Sequence, residues 1–166
     1  MSNIMIANFG LSRKRRGQST VELCAGLIIL VPLVLVLFDL AVIVIGVQVN
    51  DQTCRQAARS ASSGDPSSAQ QRAQAIIARA NQQGSSMLSN FTLSSFTLSP
   101  STILTDTDKL RAENGGFGGT VTGTVTVQTT VEIRPFIVPI VYSGGHPLVF
   151  TASQTFPFTF LVRNEA

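Results

Sequence analysis

The chain is poor in the side chains from which catalytic and metal centres are usually built. It has one histidine, His146, and two cysteines, Cys24 and Cys54, among its 166 residues. Such a set cannot supply the usual ligands of a zinc site, and no nucleophile elbow is present for a hydrolytic triad that would have to use His146. The glycines within 115–119 lack the Lys-Ser or Lys-Thr that follows in a phosphate-binding loop. We therefore expect a protein that is not an enzyme, with no catalytic residue, no metal, no other cofactor and no small-molecule substrate.

Charged residues are scarce as well, and the basic ones are unevenly placed. They make up 13% of the chain, and four of the twelve lysines and arginines form one tetrad: Arg13, Lys14, Arg15 and Arg16. Without residues 1–17, eight basic residues remain against nine acidic ones, so the formal charge changes from +3 to −1. Because no basic face remains for a nucleic acid, we expect no nucleic-acid partner and interpret the tetrad as a topology signal.

The two cysteines are too far apart to pair if one unbroken helix carries both. Thirty residues separate Cys24 from Cys54, which is about 45 Å along a helix and beyond the reach of a disulfide. Cys24 is interpreted as a small apolar residue in lipid, since the residues before it lack the small side chains of a lipid-attachment site. Cys54 leaves open a cross-link to a partner chain.

What the chain has in excess is one long apolar segment. Residues 23–49 contain one acid, Asp39, and one late amide, Gln48. About 20 apolar residues span a bilayer, and the apolar core of a signal peptide is shorter, so this segment is predicted to be a membrane anchor. Lys and Arg near a membrane end stay in the cytoplasm. The tetrad therefore predicts a cytoplasmic N-terminus, with the chain beyond about residue 50 outside.

Beyond the apolar segment the sequence predicts an α+β domain. Small apolar residues at three- and four-residue steps continue the helix to about Ala61, and Gly64-Asp65-Pro66 interrupts it. A second helix is expected from Pro66 or Ser67 to Gln83, capped by Asp65 and stopped by Gly84.

Strand patterns follow at 91–98, 120–133 and 149–162, with a flexible connection at 114–119. In the second of these strands, valines and Ile133 alternate with threonines and other polar residues. Pro157 makes the last strand either an edge strand or a bulged one. We expect one antiparallel sheet packed on helices. The resulting domain division is a leader at 1–17, a transmembrane and extended helix at 18–63 with a span of about 23–49, and an extracytoplasmic α+β domain at 64–166.

The most specific signal is the junction between the leader and the apolar segment. Gly17 follows the tetrad, and Glu22, the acid at the start of the apolar segment, comes five residues later. This resembles the processing site of prepilins, where a membrane peptidase cuts after glycine and leaves an acid at the fifth mature position. The resemblance implies cleavage between Gly17 and Gln18 by a prepilin peptidase.

Glu22 would also be stabilised by a positively charged partner. A carboxylate in the membrane costs on the order of 2–3 kcal/mol or more at depth. In a bundle of such subunits, the new amine at Gln18 of one chain could pair with Glu22 of a neighbour. The alternative is that Glu22 only complements the helix dipole at its N-terminal end.

The opening of the chain is similar to that of TadE-like proteins of the tight-adherence (Flp, type IVb) pilus machinery. The likeness covers residues 15–62 and rests on an RGQ-x-x-VE start, an apolar helix with a proline and a late acid, and an AAR-x-A run. Its residues here are Arg16, Gly17, Gln18, Val21, Glu22, Pro32, Asp39, and Ala57 to Ala61. Asp39, an acid within the apolar segment, is a candidate contact to another subunit; the alternative is an acid without a functional contact.

The resemblance implies a minor pilin or pseudopilin that takes part in assembly of a type IVb pilus. Its partners would be a prepilin peptidase, other pilin-like subunits, the pilus assembly platform and the membrane. The expected location is the bacterial inner membrane in a single pass, with presence in the pilus or at the cell surface left open. The alternative is a membrane-anchored periplasmic binding or structural module without an assembly role.

Overall fold

A computed structural model describes residues 15–113, 119–136 and 144–162, and within the first helix it describes side chains from Thr20 onward. The elements, in chain order, are α1 (Arg15–Ser62), a 3-10 turn (Pro66–Ser68), α2 (Ala69–Gln83), β1 (Leu88–Ser99), α3 (Ile103–Glu113), β2 (Thr120–Ile133) and β3 (Leu148–Leu161). The predicted α+β class, with a long N-terminal apolar helix and a small antiparallel sheet, is confirmed.

The chain divides into two compact units within α1, Met1–Phe38 and Asp39–Ala166. The second unit is called the head below. The domain boundaries expected after residues 17 and 63 stay predictions.

In the first unit, α1 is exposed on every side from Thr20 to Phe38. All residues from Thr20 to Phe38 are exposed, and most of them are large and apolar. These 19 residues form about 28 Å of helix, close to the roughly 30 Å of a bilayer's hydrocarbon core. The helix is long and apolar enough to cross a membrane, as predicted; its orientation in a membrane stays a prediction.

In the head, one face of α1 is buried against the sheet. The buried positions recur every three or four residues, as one face of a helix requires. They are Asp39, Gly46, Asn50, Thr53, Cys54, Ala57, Ala58 and Ala61. Most of these side chains are small, so the backbone of α1 lies close to the strands. At Gly46 an added Cβ would overlap the side chains of Ile133 and Leu88.

The sheet has the order β1-β2-β3, and both pairings are antiparallel. The predicted alternation in β2 is confirmed, since every second residue from Val125 to Ile133 is buried. β3 pairs with β2 without a register shift from Leu148 to Leu161. Pro157 lies in this strand opposite Thr124, and β3 is an edge of the described sheet, so the edge interpretation of Pro157 is confirmed.

The predicted second helix is confirmed with a different start. Asp65 accepts a hydrogen bond from the Ser67 backbone N–H at 2.9 Å, but it caps the 3-10 turn, and α2 begins only at Ala69. The helix ends at Gln83, and the Gly84 N–H donates to the Asn81 carbonyl. Its buried side chains, Ala69, Ala73 and Ile77, belong to the predicted apolar stripe.

One helix was not predicted. α3 follows β1 and presents few apolar residues, of which Ile103 is buried. Thr107, also buried, donates its hydroxyl to the Ile103 carbonyl at 2.7 Å, so a threonine occupies a core position of this helix. Since β-branched and polar residues weaken a helical pattern, the residues of α3 did not predict a helix. Most of the flexible connection expected at 114–119 lies outside the described residues.

Candidate assembly site

The predicted processing junction lies at the start of α1. Arg13 and Lys14 fall outside the described residues, and the backbone of the next four residues, Arg15, Arg16, Gly17 and Gln18, forms the beginning of the helix. Cleavage between Gly17 and Gln18, and the topology assigned to the tetrad, therefore stay predictions.

Glu22 is exposed on α1, one helical turn after Gln18. Its neighbours Val21 and Leu23 are exposed apolar side chains. Among the described residues, Glu22 takes part in no ion pair. If this part of α1 lies in a membrane or a helical bundle, the carboxylate gains from a cationic partner on another chain, because unpaired charge in an apolar medium is costly.

Asp39 lies in a different environment. Its side chain is fully buried in the head, and its Oδ1 accepts a hydrogen bond from the backbone N–H of Phe136 at 2.8 Å. A carboxylate placed in this way holds the segment that follows β2 to α1. The contact of Asp39 to another subunit, like that of Glu22, stays a prediction.

A polar cluster that the sequence did not reveal fastens α1 to the sheet. Asn50 donates its amide to the carbonyl oxygens of Phe150 at 3.2 Å and Thr129 at 3.5 Å, and it accepts from the Thr129 hydroxyl at 2.9 Å. One residue further along, Asp51 accepts from the Gln154 amide at 2.8 Å. Buried amides bonded to backbone carbonyls fix the position of one element on another, since each lost partner is costly. The only sequence signal was that Asn50 and Cys54 share a helical face with Ala57 and Ala61.

Cys54 belongs to the same contact between α1 and the sheet. It is fully buried, and its thiol donates to the carbonyl oxygen of Val127 at 3.2 Å. Burial raises the pKa of the thiol, although hydrogen bonds with Thr129 oppose this effect. A buried, protonated thiol is a poor nucleophile, so the cross-link to a partner chain that the sequence left open is not compatible with this fold.

A second polar cluster closes the corner between α1 and α2. Arg72 donates to the carbonyl oxygens of Ser60 at 2.9 Å, Ala61 at 3.0 Å and Asp65 at 2.9 Å. These bonds include two of the last carbonyls of α1, which have no partner within the helix. Arg111 of α3 forms an ion pair with the Asp65 carboxylate. The pKa of Asp65 is pushed up by its partial burial, but the hydrogen bonds from Ser67 and the ion pair with Arg111 outweigh this and lower it below its ordinary value of 3.8.

The head also contains an open groove. It has a volume of about 510 Å³ and lies between α1, α2 and the start of β1. Its polar lining includes Gln52, Gln56, Gln83 and Arg79. Within the described ranges, no group of three or more His, Cys, Asp or Glu side chains is placed to hold a metal ion. His146 is exposed before β3, as expected of a surface residue in a turn.

No protein-family model, curated protein or solved structure matches the chain. The likeness to TadE-like proteins therefore rests on the motifs between residues 15 and 62 alone. What those motifs imply for function is a proposal, to be judged by experiment.

Proposed function

We propose that this protein is a minor pilin or pseudopilin, processed after Gly17 by a prepilin peptidase, that takes part in assembly of a tight-adherence type IVb pilus. One observation carries the proposal. Glu22 stands five residues after Gly17, at the start of a helix whose next sixteen residues, 23–38, are all exposed and uncharged.

The exposure of this helix supports an assembly role. A helix that is apolar on every side needs lipid or other helices around it. Within either surrounding, Glu22 is the charged side chain of the stretch 20–38. The amine freed at Gln18 by cleavage provides the matching positive charge on a neighbouring subunit. This pairing would therefore fix how far the helix of one subunit is shifted along the helix of the next.

The head has a separate task in this proposal. Its α+β fold holds the second half of α1 through Asn50 and Cys54, so the helix from Asp39 onward and the sheet belong to one unit. We assign to the head the docking to another pilin-like subunit, and to the exposed part of α1 the contacts within the membrane, the assembly platform and the fibre. A chain of 166 residues is large for the main shaft subunit, since the resembled machinery builds its shaft from very short chains.

Cleavage is tested by co-expressing the protein with a prepilin peptidase. The wild type should gain mobility on a gel when an active peptidase is present, and Gly17→Leu should block that shift because a bulky side chain obstructs the scissile position. Gly10→Leu is the matched control, since it changes another glycine of the same leader and should still be cleaved. Equal mobility of the wild type with active and inactive peptidase would defeat the processing claim.

The assembly role of Glu22 is tested separately. Glu22→Ala should still be cleaved but should no longer co-purify with the other pilin-like subunits of its host. Asp108→Ala, which removes an acid that is 76% exposed on the head, should co-purify as the wild type does. An uncleaved N-terminus together with indifference to Glu22→Ala would instead favour a membrane-anchored module without an assembly role.

A further inference from the structure

Two large apolar side chains are exposed together at one end of the sheet. Phe136 follows the end of β2, and Val149 lies at the start of β3; each is 61% exposed. The register places them at the same end, because Ile133 pairs with Leu148. Arg134 lies beside them, also exposed and 3.5 Å from the Glu132 carboxylate. We call Arg134, Phe136 and Val149 the base patch.

The base patch is fastened to the first residues of α1 in the head. The Phe136 backbone N–H donates to Asp39 at 2.8 Å. One end of β2 also lies against the same helix, because Ile133 is directly beside Gly46. Asp39 directly follows Phe38, the last residue of the stretch that is exposed on every side. The patch is therefore tied to the point of the chain at which that apolar stretch ends.

The dimensions of a bilayer indicate how deep Asp39 would lie in the membrane. The exposed stretch 20–38 is about 28 Å long, and a hydrocarbon core is about 30 Å thick within roughly 40–45 Å of total membrane. If the stretch fills the core, Asp39 lies at its boundary and the next turns of α1 cross the headgroup layer. From residue 40 to residue 47 the exposed side chains are apolar, and the large ones are Leu40, Val44, Ile45 and Val47; the exposed amide of Gln48 follows.

We propose that the base patch rests in the membrane interface, with Phe136 and Val149 against the outer ends of the acyl chains and Arg134 among the lipid phosphates. The chemistry fits a lipid surface, since large apolar side chains such as phenylalanine can be buried at the boundary between headgroups and acyl chains and arginine can extend its charge into the headgroups while its stem covers apolar surface. Glu132 is paired with Arg134 and with the Asn90 amide at 2.8 Å, which limits its repulsion from phosphate. By sequence, residues 137–143 (IVPIVYS) carry no charge.

The chain has no tryptophan, so single tryptophans can report on this contact. Phe136→Trp places the probe in the base patch. Leu161→Trp is the matched control, because Leu161 is also exposed, at 66%, but lies at the other end of β3. Leu161 is thirteen positions along β3 from Leu148, which is about 43 Å. Val149→Trp provides a second probe of the patch should Phe136→Trp fail to fold.

Full-length variants are reconstituted into phosphatidylcholine–phosphatidylglycerol vesicles, with and without brominated acyl chains. We expect Phe136→Trp or Val149→Trp to emit at shorter wavelength than Leu161→Trp and to lose about half of its fluorescence in brominated lipid, as an interfacial side chain should. Leu161→Trp should lose almost none. Equal quenching of the patch and control probes would overturn the proposal.

A contact between two protein copies gives a different result and would also overturn it. In that case the shorter emission wavelength would weaken as the protein is diluted in lipid, and brominated chains would quench no more than in Leu161→Trp. The measurement does not depend on cleavage after Gly17. It therefore separates a failure of this inference from a failure of the proposed processing.

Discussion

At the scale of single residues, Asn50 and Cys54 show how a mainly apolar helix is held on a sheet at one position. Apolar packing is not directional, so alanines alone would let α1 slide or rotate on the strands. The Asn50 amide and the Cys54 thiol instead bond to particular carbonyl oxygens of β2 and β3. These bonds fix both the depth and the rotation of α1 in the head.

Removing the Asn50 side chain tests this directly. Asn50→Ala should lower the free energy of unfolding of the head by about 1–3 kcal/mol, because the buried Thr129 hydroxyl then loses its acceptor. Gln48→Ala, an exposed position of the same helix, is the control and should stay within about 0.5 kcal/mol of the wild type. The measurement is urea unfolding of the full chain in detergent. Unfolding is monitored by the maleimide labelling of Cys54 as it becomes exposed, in a Cys24→Ser background. If Asn50→Ala and Gln48→Ala unfold alike, the polar cluster does not hold the helix.

At the scale of secondary-structure elements, the packing of α1 on the sheet depends on a residue without a side chain. Gly46 lies where Ile133 and Leu88 approach the helix, and Ile133 is fully buried. Glycine is otherwise a poor helix residue, by about 1 kcal/mol relative to alanine. Its presence in the middle of α1 therefore reflects the close approach of the strands.

Adding one methyl group at this position should separate packing from helix propensity. Gly46→Ala should be less stable than its intrinsic helix preference implies, by about 1–3 kcal/mol, because Ile133 and Leu88 must both shift. Gly26→Ala adds the same methyl group to α1 where nothing lies within 4 Å, and it should cause no loss. Thermal unfolding followed by circular dichroism of the full chain compares the two. A Gly46→Ala protein as stable as Gly26→Ala would show that α1 does not approach the sheet this closely.

The ion pair at the corner between α1 and α2 predicts that the stability of the protein depends on pH. Because the pKa of Asp65 is lowered in the folded state, its stabilising contribution is present above 3.8 and is lost as the pH falls through the lower folded value. In Asp65→Asn the amide keeps a capping oxygen for Ser67 but loses the charge that faces Arg111. The wild type should therefore be more stable than Asp65→Asn near neutral pH, and this advantage should shrink as the pH falls from about 5.

The check is the difference in melting temperature between the two proteins across that pH range. Asp108→Asn is the matched control, because it changes a more exposed acid, 3.8 Å from the same Arg111, and should follow the wild-type profile. A difference between wild type and Asp65→Asn that is independent of pH would rule out an ionic contribution at this corner.

These elements also show where sequence patterns were sufficient. α1 and β2 were predictable because an uninterrupted apolar run and a strict alternation are strong periodic signals. The end of α2 was predictable because Gly84 stops it. α3 was not, because the polar Thr107 lies between the buried Ile103 and the half-buried Leu110 and interrupts the apolar stripe of this helix.

The candidate site was only partly predictable from the sequence, because some of its contacts are made by backbone groups. Gly17 and Glu22 are recognisable by their spacing alone. One partner of Asp39, however, is the backbone N–H of Phe136, ninety-seven residues away. Backbone donors leave no mark in a sequence, so nothing in the residues around Asp39 indicated that it belongs to the head. The same applies to the carbonyl partners of Asn50 and Cys54.

At the scale of the whole molecule, the chain combines a helix that requires an apolar surrounding with a head that has its own core. The side chains of the stretch 20–38 are all exposed and mostly apolar, and such a helix needs lipid or neighbouring helices around it. A subunit that leaves the lipid and packs against other helices during assembly would need such an apolar helix. It would also need a charge at the start of the helix, as Glu22 provides, to favour one arrangement of the neighbouring subunits.

The mature N-terminus tests the proposed function most directly. The protein should be isolated from its native host, and its N-terminal residue identified by sequencing and by intact mass. We predict a chain that begins at Gln18, with a free amine there, in any host that makes the pilus. A protein that still carries the tetrad Arg13, Lys14, Arg15 and Arg16 would contradict the pairing with Glu22, and with it the assignment as a processed pilin.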